Sequence, residues 1–186
     1  ESIELDPTDA DTYNNRGFAY YYQEDYEKAI ADYTKSIELD PTDAITFYSR
    51  GLAYHDQEDY EKALTDFSKS IELDPTAFLT FRNRGLVYRA QEHFEKAIRD
   101  YTSAIELNPI DPQSYASRGH AYFSQEEYEE AIADYTKVIE LDSKDAGIYD
   151  IRAFAYRLTQ DYEKAVADYT KAIELGPQKP RRFYFR

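Results

Sequence analysis

A repeat with a period of 34 residues runs through the chain and limits its fold more than any other feature of the sequence. Proline, glycine and tyrosine each return at this interval. The prolines are Pro7, Pro41, Pro75, Pro109 and Pro177, with Ser143 at the remaining position. The glycines are Gly17, Gly51, Gly85 and Gly119, with Ala153 fifth, and the tyrosines are Tyr20, Tyr54, Tyr88, Tyr122 and Tyr156. The spacing predicts five units, at 10–43, 44–77, 78–111, 112–145 and 146–179.

Two helical segments are predicted in each unit. In the second half of the first unit, apolar residues three or four positions apart form one stripe: Tyr26, Ala29, Ile30, Tyr33 and Ile37. Asp25 stands at the N-cap position, and Pro41 follows the end of the helix because proline cannot continue it. Thr12 to Tyr22 is the predicted first helix. An aspartate precedes the first helix in four units: Asp9, Asp43, Asp111 and Asp145.

The recurring glycine indicates close packing between the two helices of a unit. Glycine inside a helix costs about 1 kcal/mol relative to alanine, so its repetition needs a physical reason. We expect Gly17 to face Ala29, which would let the two helices approach closely. Because neither helix can bury its apolar stripe alone, successive hairpins must stack. The sequence therefore predicts an all-α superhelical solenoid.

A 34-residue unit with aromatic, Gly, Tyr, Ala, aromatic and Pro at these offsets resembles the tetratricopeptide repeat. The resemblance covers 10–179, with Ser143, Ala153 and Ala77 in place of proline, glycine and a capping aspartate. It implies a right-handed superhelical solenoid of antiparallel helical hairpins. We expect 1–186 to be a single domain cut from a longer array, in which 1–9 end a preceding repeat and 180–186 begin a following one.

The composition narrows the class of partner. The chain has 37 acidic and 22 basic side chains and a net charge of −15. This charge opposes binding to nucleic acid or to an anionic membrane and favours a basic or apolar protein partner. Cysteine is absent, which fits a reducing cytoplasm and leaves a periplasmic or surface location open.

Arginine and aspartate recur together in every unit. An arginine stands immediately before the glycine position: Arg16, Arg50, Arg84, Arg118 and Arg152. An aspartate follows it 16 residues later: Asp32, Asp66, Asp100, Asp134 and Asp168. The planar guanidinium suits bidentate pairing with a carboxylate, so the series predicts a ladder of structural ion pairs. The alternative is a row of arginines that faces a ligand.

In the family that the repeats resemble, the first helices line a concave groove, and positions 2, 5, 9, 12 and 13 of a unit contact the ligand. The resemblance implies a largely apolar and aromatic groove formed by Phe18, Tyr48, Leu52, Leu79, Arg82, Leu86, Arg89, His120, Phe123 and Phe154. Such a surface would fit an amphipathic helix or an extended peptide with apolar anchors. The alternatives are that the ninth-position side chains pack between neighbouring first helices and that Arg82 and Arg89 are simply solvated.

The carboxylate clamp of chaperone adaptors is not expected. That clamp needs Lys and Asn at the fifth and ninth positions of one unit. The corresponding pairs here are Asn14/Phe18, Tyr48/Leu52, Arg82/Leu86, Ala116/His120 and Asp150/Phe154, and none of them matches. His55, His93 and His120 occupy three different units and repeat positions, so they do not suggest one metal site. No cofactor and no catalytic residue is predicted.

The leading functional hypothesis is a protein-interaction scaffold that binds a peptide or partner segment in its groove. A second is self-association by end-to-end stacking, suggested by the aromatic residues Phe183, Tyr184 and Phe185. A third is the regulatory arm of a larger enzyme.

Overall fold

A computed structural model describes residues 8–142 and 144–176 as a series of α-helices. These ranges contain ten helices and no β-strand. They are α1 (Ala10–Tyr22), α2 (Tyr26–Leu39), α3 (Ala44–Asp56), α4 (Tyr60–Leu73), α5 (Phe78–Ala90), α6 (Phe94–Leu107), α7 (Pro112–Ser124), α8 (Tyr128–Leu141), α9 (Ala146–Leu158) and α10 (Tyr162–Leu175).

Aspartate caps set most of the helix starts, as the sequence predicts. The side chains of Asp9, Asp43, Asp111 and Asp145 accept hydrogen bonds from backbone N–H groups at the starts of the first helices, whereas Ala77 provides no such cap. Asp25 caps α2 through the N–H of Lys28. The first helix begins at Ala10 and not at Thr12, because the capping residue Asp9 lies directly before it.

Helices pair as antiparallel hairpins: α1 with α2, α3 with α4, α7 with α8, and α9 with α10. From the turn between α1 and α2 outward, Lys28 lies over Tyr20, Asp32 binds Arg16 and Ser36 Oγ donates to the carbonyl of Ala10. Residue numbers rise on one helix as they fall on the other, which is the signature of an antiparallel pair. The turns contain a non-glycine residue in the left-handed region, with φ between 59° and 64°: Glu24, Glu58, Glu92, Glu126 and Gln160.

The structure divides into two compact parts, 1–91 and 92–186, each larger than one 34-residue repeat. We call these parts the first unit and the second unit, and from here on the 34-residue segments are called repeats. The first contains α1–α5, and its buried clusters are Ala29, Tyr33 and Ala53, and Ala63, Phe67 and Val87. The second contains α6–α10, and its buried cluster is Ala116, Ala131, Tyr135, Val138, Ile148 and Ile151. In each unit the first helices stand beside one another in chain order, with the second helices packed against them.

The glycine in the first helix makes room for an aromatic ring. A Cβ atom on Gly17 would lie 2.8 Å from the ring of Tyr33 and 3.2 Å from the carbonyl oxygen of Ala29. Gly17 therefore faces Ala29, as predicted, and the ring of Tyr33, one helical turn further along, lies closer still. Gly51 and Gly119 meet the rings at the equivalent positions, Phe67 and Tyr135, in the same way.

Some sequence predictions lie outside the described residues. These are the predictions for 1–7, for Ser143 and for 177–186, which include Phe183, Tyr184 and Phe185. Within the described ranges, none of the helices has the length and apolar character needed to cross a bilayer.

Candidate functional site

The repeated arginines bind the repeated aspartates through two parallel hydrogen bonds. In the first unit, Arg16 Nε and Nη2 each lie 2.6 Å from a carboxylate oxygen of Asp32, and Arg50 makes the same pair of contacts with Asp66 at 2.7 and 2.8 Å. In the second unit the same geometry recurs in two pairs, Arg118 with Asp134 and Arg152 with Asp168. Arg84 and Asp100 fall in different units, so their pairing stays a prediction.

From the second repeat onward, a hydroxyl group of the preceding repeat also accepts a hydrogen bond from the arginine. Arg118 Nη1 donates to Thr102 Oγ1 at 3.0 Å, and Arg152 Nη1 donates to Thr136 Oγ1 at 2.9 Å. Arg50 reaches Thr34 in the same way at 3.0 Å. These hydroxyls were not predicted, although the repeat marks their positions. Thr34, Ser68, Thr102 and Thr136 keep the repeat spacing and stand 16 residues before the arginines. Arg50, Arg118 and Arg152 thus each join two consecutive hairpins.

Aromatic rings enclose the same guanidinium groups. The Cζ atom of Arg118 lies 5.9 Å from the ring centroids of both Tyr115 and Tyr122, and Arg152 lies between Tyr149 and Tyr156 at 5.8 and 5.7 Å. The side chains of Arg50, Arg118 and Arg152 are only 13–18% exposed. This burial leaves little of the ladder for a ligand to contact.

Burial also shapes the electrostatics of the pair between Arg118 and Asp134. Desolvation raises the pKa of Asp134 above its ordinary value, although the hydrogen bonds and charge of Arg118 act in the opposite direction. The hydrogen bond to Asp134 raises the pKa of Arg118 in turn, which keeps the guanidinium charged. The pair is consequently sensitive to the loss of either partner.

On the first unit, apolar side chains lie exposed along α1, α3 and α5. Ile45 is 67% exposed, and Phe18 and Leu79 are exposed as well. Phe18 and Tyr22 form an edge-to-face aromatic pair with ring centroids 4.7 Å apart. These residues come from three successive first helices, and α3 contacts both α1 and α5. They form what we call the first-unit surface: Phe18, Tyr22, Ile45 and Leu79.

The other predicted groove residues of the first unit are less accessible. Tyr48 and Leu52 are half-buried and pack against the cluster that contains Phe67 and Val87, so they contribute to the core as well as to the surface. Arg82, Leu86 and Arg89 are also half-buried. The ninth position therefore has no uniform role, since Phe18 is exposed and Leu52 packs inward.

Polar contacts hold neighbouring first helices at a fixed spacing. Tyr21 donates from its hydroxyl to Asp56 Oδ2 at 2.5 Å, which joins α1 to α3. Asn83 Nδ2 donates to the hydroxyl of Tyr48 at 2.9 Å, which joins α5 to α3. Burial raises the pKa of Tyr21, and the bond to Asp56 raises it further. The hydroxyls therefore stay protonated and the surface keeps a defined shape.

On the second unit, a cleft of about 470 Å³ opens between α7 and α9. Its lining is mainly apolar and consists of His120, Phe123, Gly147, Ile148, Asp150, Ile151 and Phe154. The rings of Phe123 and Phe154 lie 5.7 Å apart on one side. We call this the second-unit cleft. It brings together three of the predicted groove residues: His120, Phe123 and Phe154.

His120 has a different role from the other predicted groove residues. It is 8% exposed, and its Nδ1 atom lies 3.0 Å from the hydroxyl of the fully buried Tyr135. Its ring forms part of the wall of the cleft, and the hydrogen bond with Tyr135 fixes its orientation. The side chain therefore does not extend freely into the cleft. The sequence could not indicate this buried contact, because other repeats have apolar residues such as Phe18 and Leu52 at the ninth position.

Models of the tetratricopeptide repeat match 10–43, 44–77, 112–145 and 146–179, and a TPR repeat model matches 85–125. These matches cover most of the sequence. The chain belongs to the tetratricopeptide-repeat family. A search of curated proteins found no match.

Several solved structures of tetratricopeptide-repeat proteins resemble the chain. A crystal structure of MamA is 26% identical, with a TM-score of 0.84 over 89% of this chain and 91% of that one. YrrB is 27% identical, with a TM-score of 0.81 over 96% of this chain and 92% of the other. MamA from Desulfovibrio magneticus RS-1, from residue 41 to its end, is 24% identical, with a TM-score of 0.83 over 89% and 94% of the two chains. The chain thus shares the all-α fold of tetratricopeptide-repeat proteins.

In the described part of the chain, no group of three or more His, Cys, Asp or Glu side chains is placed to hold a metal ion. The first-unit surface and the second-unit cleft present apolar side chains, aromatic rings and a few polar groups.

Proposed function

We propose that this tetratricopeptide-repeat protein is an interaction scaffold whose first helices bind a peptide or a segment of a partner protein without a carboxylate clamp. The observation that carries the proposal is the exposed apolar first-unit surface, because side chains of this kind are stabilised when a partner covers them. The structural similarity to YrrB, described as a TPR protein with an unusual peptide-binding site, supports a binding role.

The partner expected from this surface is apolar or mixed apolar and charged. The fixed polar contacts between α1, α3 and α5 keep the surface in one shape, which lowers the entropy lost on binding. The net charge of −15 would attract a basic segment and repel an acidic one. We assign no catalytic reaction and no cofactor to the chain.

Replacing Phe18, Ile45 and Leu79 together by serine is expected to weaken partner binding at least tenfold, since each apolar contact contributes roughly 1 kcal/mol or more. The unfolding midpoint should hardly change because the three side chains are exposed. Partners would be captured by crosslinking to the intact chain, and the contacting segment synthesised and titrated by calorimetry. Variants at Leu52 and Leu86 are less suitable, because Leu52 also packs against the core.

The control variant for this experiment is Ile110→Ser. Ile110 is also an exposed apolar residue, at 73%, but it lies between α6 and α7, outside the first helices. If the triple variant bound every captured segment with wild-type affinity, the proposed function would be wrong.

Self-association through α10 is a second candidate. Tyr162, Val166 and Ile173 are exposed on α10, and Ile173 is 80% exposed, whereas its counterpart Ile139 on α8 packs against the core of the second unit. Thr170 stands on α10 at the position that receives an arginine in the preceding hairpins. Arg16 on α1 is 45% exposed and has no such hydroxyl partner among the described residues. A second copy could therefore stack its α1 onto α10.

Self-association is tested by sedimentation velocity over a concentration series. The wild-type chain should form oligomers that grow with concentration, and Val166→Glu with Ile173→Glu should abolish them, because burying the new carboxylates is costly. A wild-type chain that remains monomeric at the highest concentrations excludes this candidate.

A further inference from the structure

The second-unit cleft is lined by a glycine, Gly147, at a repeat position where the other repeats have larger residues. Gly147 occupies the second position of its repeat, where the other four repeats have Asp11, Ile45, Leu79 and Gln113. The backbone at Gly147 is regular α-helix, so a larger residue could adopt it without strain. Because Gly147 lines the cleft, a side chain there would take up part of its volume.

The walls of the cleft are fixed before any partner arrives. His120 is held by Tyr135, and the ring of Phe123 packs edge-on against Tyr128 at 5.3 Å. On the other wall, Arg157 lies over the ring of Phe154 at 4.6 Å. Side chains that are already ordered lose little entropy on binding, so the free energy of burying an apolar group is largely retained.

The lining has one charged side chain, and it is acidic. Asp150 is exposed beside the apolar walls. At the same end of α9, Asp145 caps the helix by accepting a hydrogen bond from the N–H of Gly147. A ligand seated near Gly147 would therefore meet an apolar wall and the carboxylate of Asp150. A cleft of about 470 Å³ also lies within the range of about 300–1,000 Å³ that is typical of ligand pockets.

We propose that the second-unit cleft is an anchor pocket for an apolar side chain the size of leucine or phenylalanine in a partner peptide, with an adjacent lysine or arginine of that peptide bound to Asp150. This inference rests on the proposed function, since it specifies what one of the two first-helix surfaces binds. It assigns the two roles separately: Phe123, Ile151 and Phe154 bury the anchor, and Asp150 selects the neighbouring charge.

The proposal is tested with three capped tripeptides and amide chemical shifts of the intact chain. Acetyl-Lys-Phe-Lys-amide should cause saturable shifts at Gly147, Asp150 and Phe154. Acetyl-Lys-Ser-Lys-amide should cause none that saturate, because it has no anchor. Acetyl-Glu-Phe-Glu-amide should bind about threefold or more weakly, as expected for a solvent-accessible carboxylate of like charge. Saturating shifts at other residues only would overturn the proposal.

Two variants separate the anchor from the charge. Gly147→Leu, which introduces the residue type of Leu79 at the same repeat position, should weaken Lys-Phe-Lys binding about tenfold or more without lowering the unfolding midpoint. Asp150→Asn should reduce the preference for the basic over the acidic peptide and leave the anchor contribution intact. Gln113→Leu, at the same repeat position in α7 but outside the cleft, is the matched control.

The captured partner segments distinguish this inference from the proposed function. If Gly147→Leu binds them normally and the serine variant of the first-unit surface does not, the anchor pocket is wrong and the scaffold role stands. If neither variant affects binding, the scaffold role itself fails. Wild-type affinity of Gly147→Leu for Lys-Phe-Lys would also overturn the pocket.

Discussion

Replacing Arg118 by leucine is expected to destabilise the second unit by about 3–5 kcal/mol, because it leaves a buried carboxylate without its partner. Asp134 is 4% exposed and receives two hydrogen bonds from Arg118. The substitution also removes the bond from Arg118 to Thr102, which joins α7 to the preceding helix α6. The loss should appear in hydrogen exchange of α7 and α8. This local measurement is preferred because repeat proteins can unfold in parts, and a single unfolding midpoint then averages over those parts.

The pH dependence of this variant gives an independent check. Asp134 already has a raised pKa in the folded chain, and removal of Arg118 takes away the groups that lower it. A carboxyl group with a raised pKa binds its proton more tightly in the folded state, so stability falls as the pH rises from the ordinary aspartate value of about 4 towards the raised one. The deficit of Arg118→Leu should therefore be smaller at about pH 4 than at pH 7, measured against the wild-type chain at each pH.

A double-mutant cycle shows whether the ladder is structural. Arg118→Leu with Asp134→Leu should recover much of the loss, because no unpaired charge is then buried. Lys137→Ala is the control: it removes an exposed pair with Glu140, which should matter by at most about 0.5 kcal/mol. Normal stability of Arg118→Leu combined with lost partner binding would favour the alternative, in which the arginines face a ligand.

Replacing Gly51 by alanine is expected to destabilise the first unit by about 1–2 kcal/mol, even though alanine is the better helix former by about 1 kcal/mol. The new Cβ atom would lie 2.8 Å from two ring carbons of Phe67. That ring is fully buried in the cluster with Ala63 and Val87, so it cannot move without disturbing the core. Chemical denaturation would measure the loss, and hydrogen exchange of α3 and α4 would show that it lies in the first unit.

The fifth repeat provides the opposite substitution. Ala153 stands at the equivalent position and is fully buried, so Ala153→Gly should also destabilise, by about 1 kcal/mol, through lost helix propensity and a small cavity. Losses from both substitutions would show that each position is fitted to its own neighbours. A more stable Gly51→Ala variant would instead mean that the ring of Phe67 can shift freely.

The helical part of the structure could be predicted well because its causes are local. An aspartate before a helix and a proline after it act within one turn, so Asp25 and Pro41 mark the bounds of α2 to within a residue. The pairing of Arg16 with Asp32 was also predicted, since two complementary side chains repeated at one spacing suggest a contact. The bond from Arg50 to the hydroxyl of Thr34 was not predicted. Two nitrogens of the guanidinium bind the aspartate, and the spacing of the repeat does not specify where the third nitrogen, Nη1, points.

The surface could be predicted only in part. Two of the predicted groove residues, Phe123 and Phe154, lie together in the lining of the second-unit cleft, with ring centroids 5.7 Å apart. Sequence could not distinguish the exposed Phe18 from the half-buried Leu52, although both occupy the ninth position. Exposure depends on how the neighbouring hairpin covers a residue, and that information lies in another repeat.

By itself, the sequence determined that this chain is an array of helical hairpins, because the period, the caps and the apolar stripes all act through neighbours on the same helix. Only the tertiary structure decided three further points: that Gly17 accommodates the ring of Tyr33, that His120 is held by Tyr135, and that the absence of a side chain at Gly147 accompanies a cleft. Each depends on the distance between atoms on different helices. Close packing makes such distances sensitive to single side chains, which a repeating pattern describes only on average.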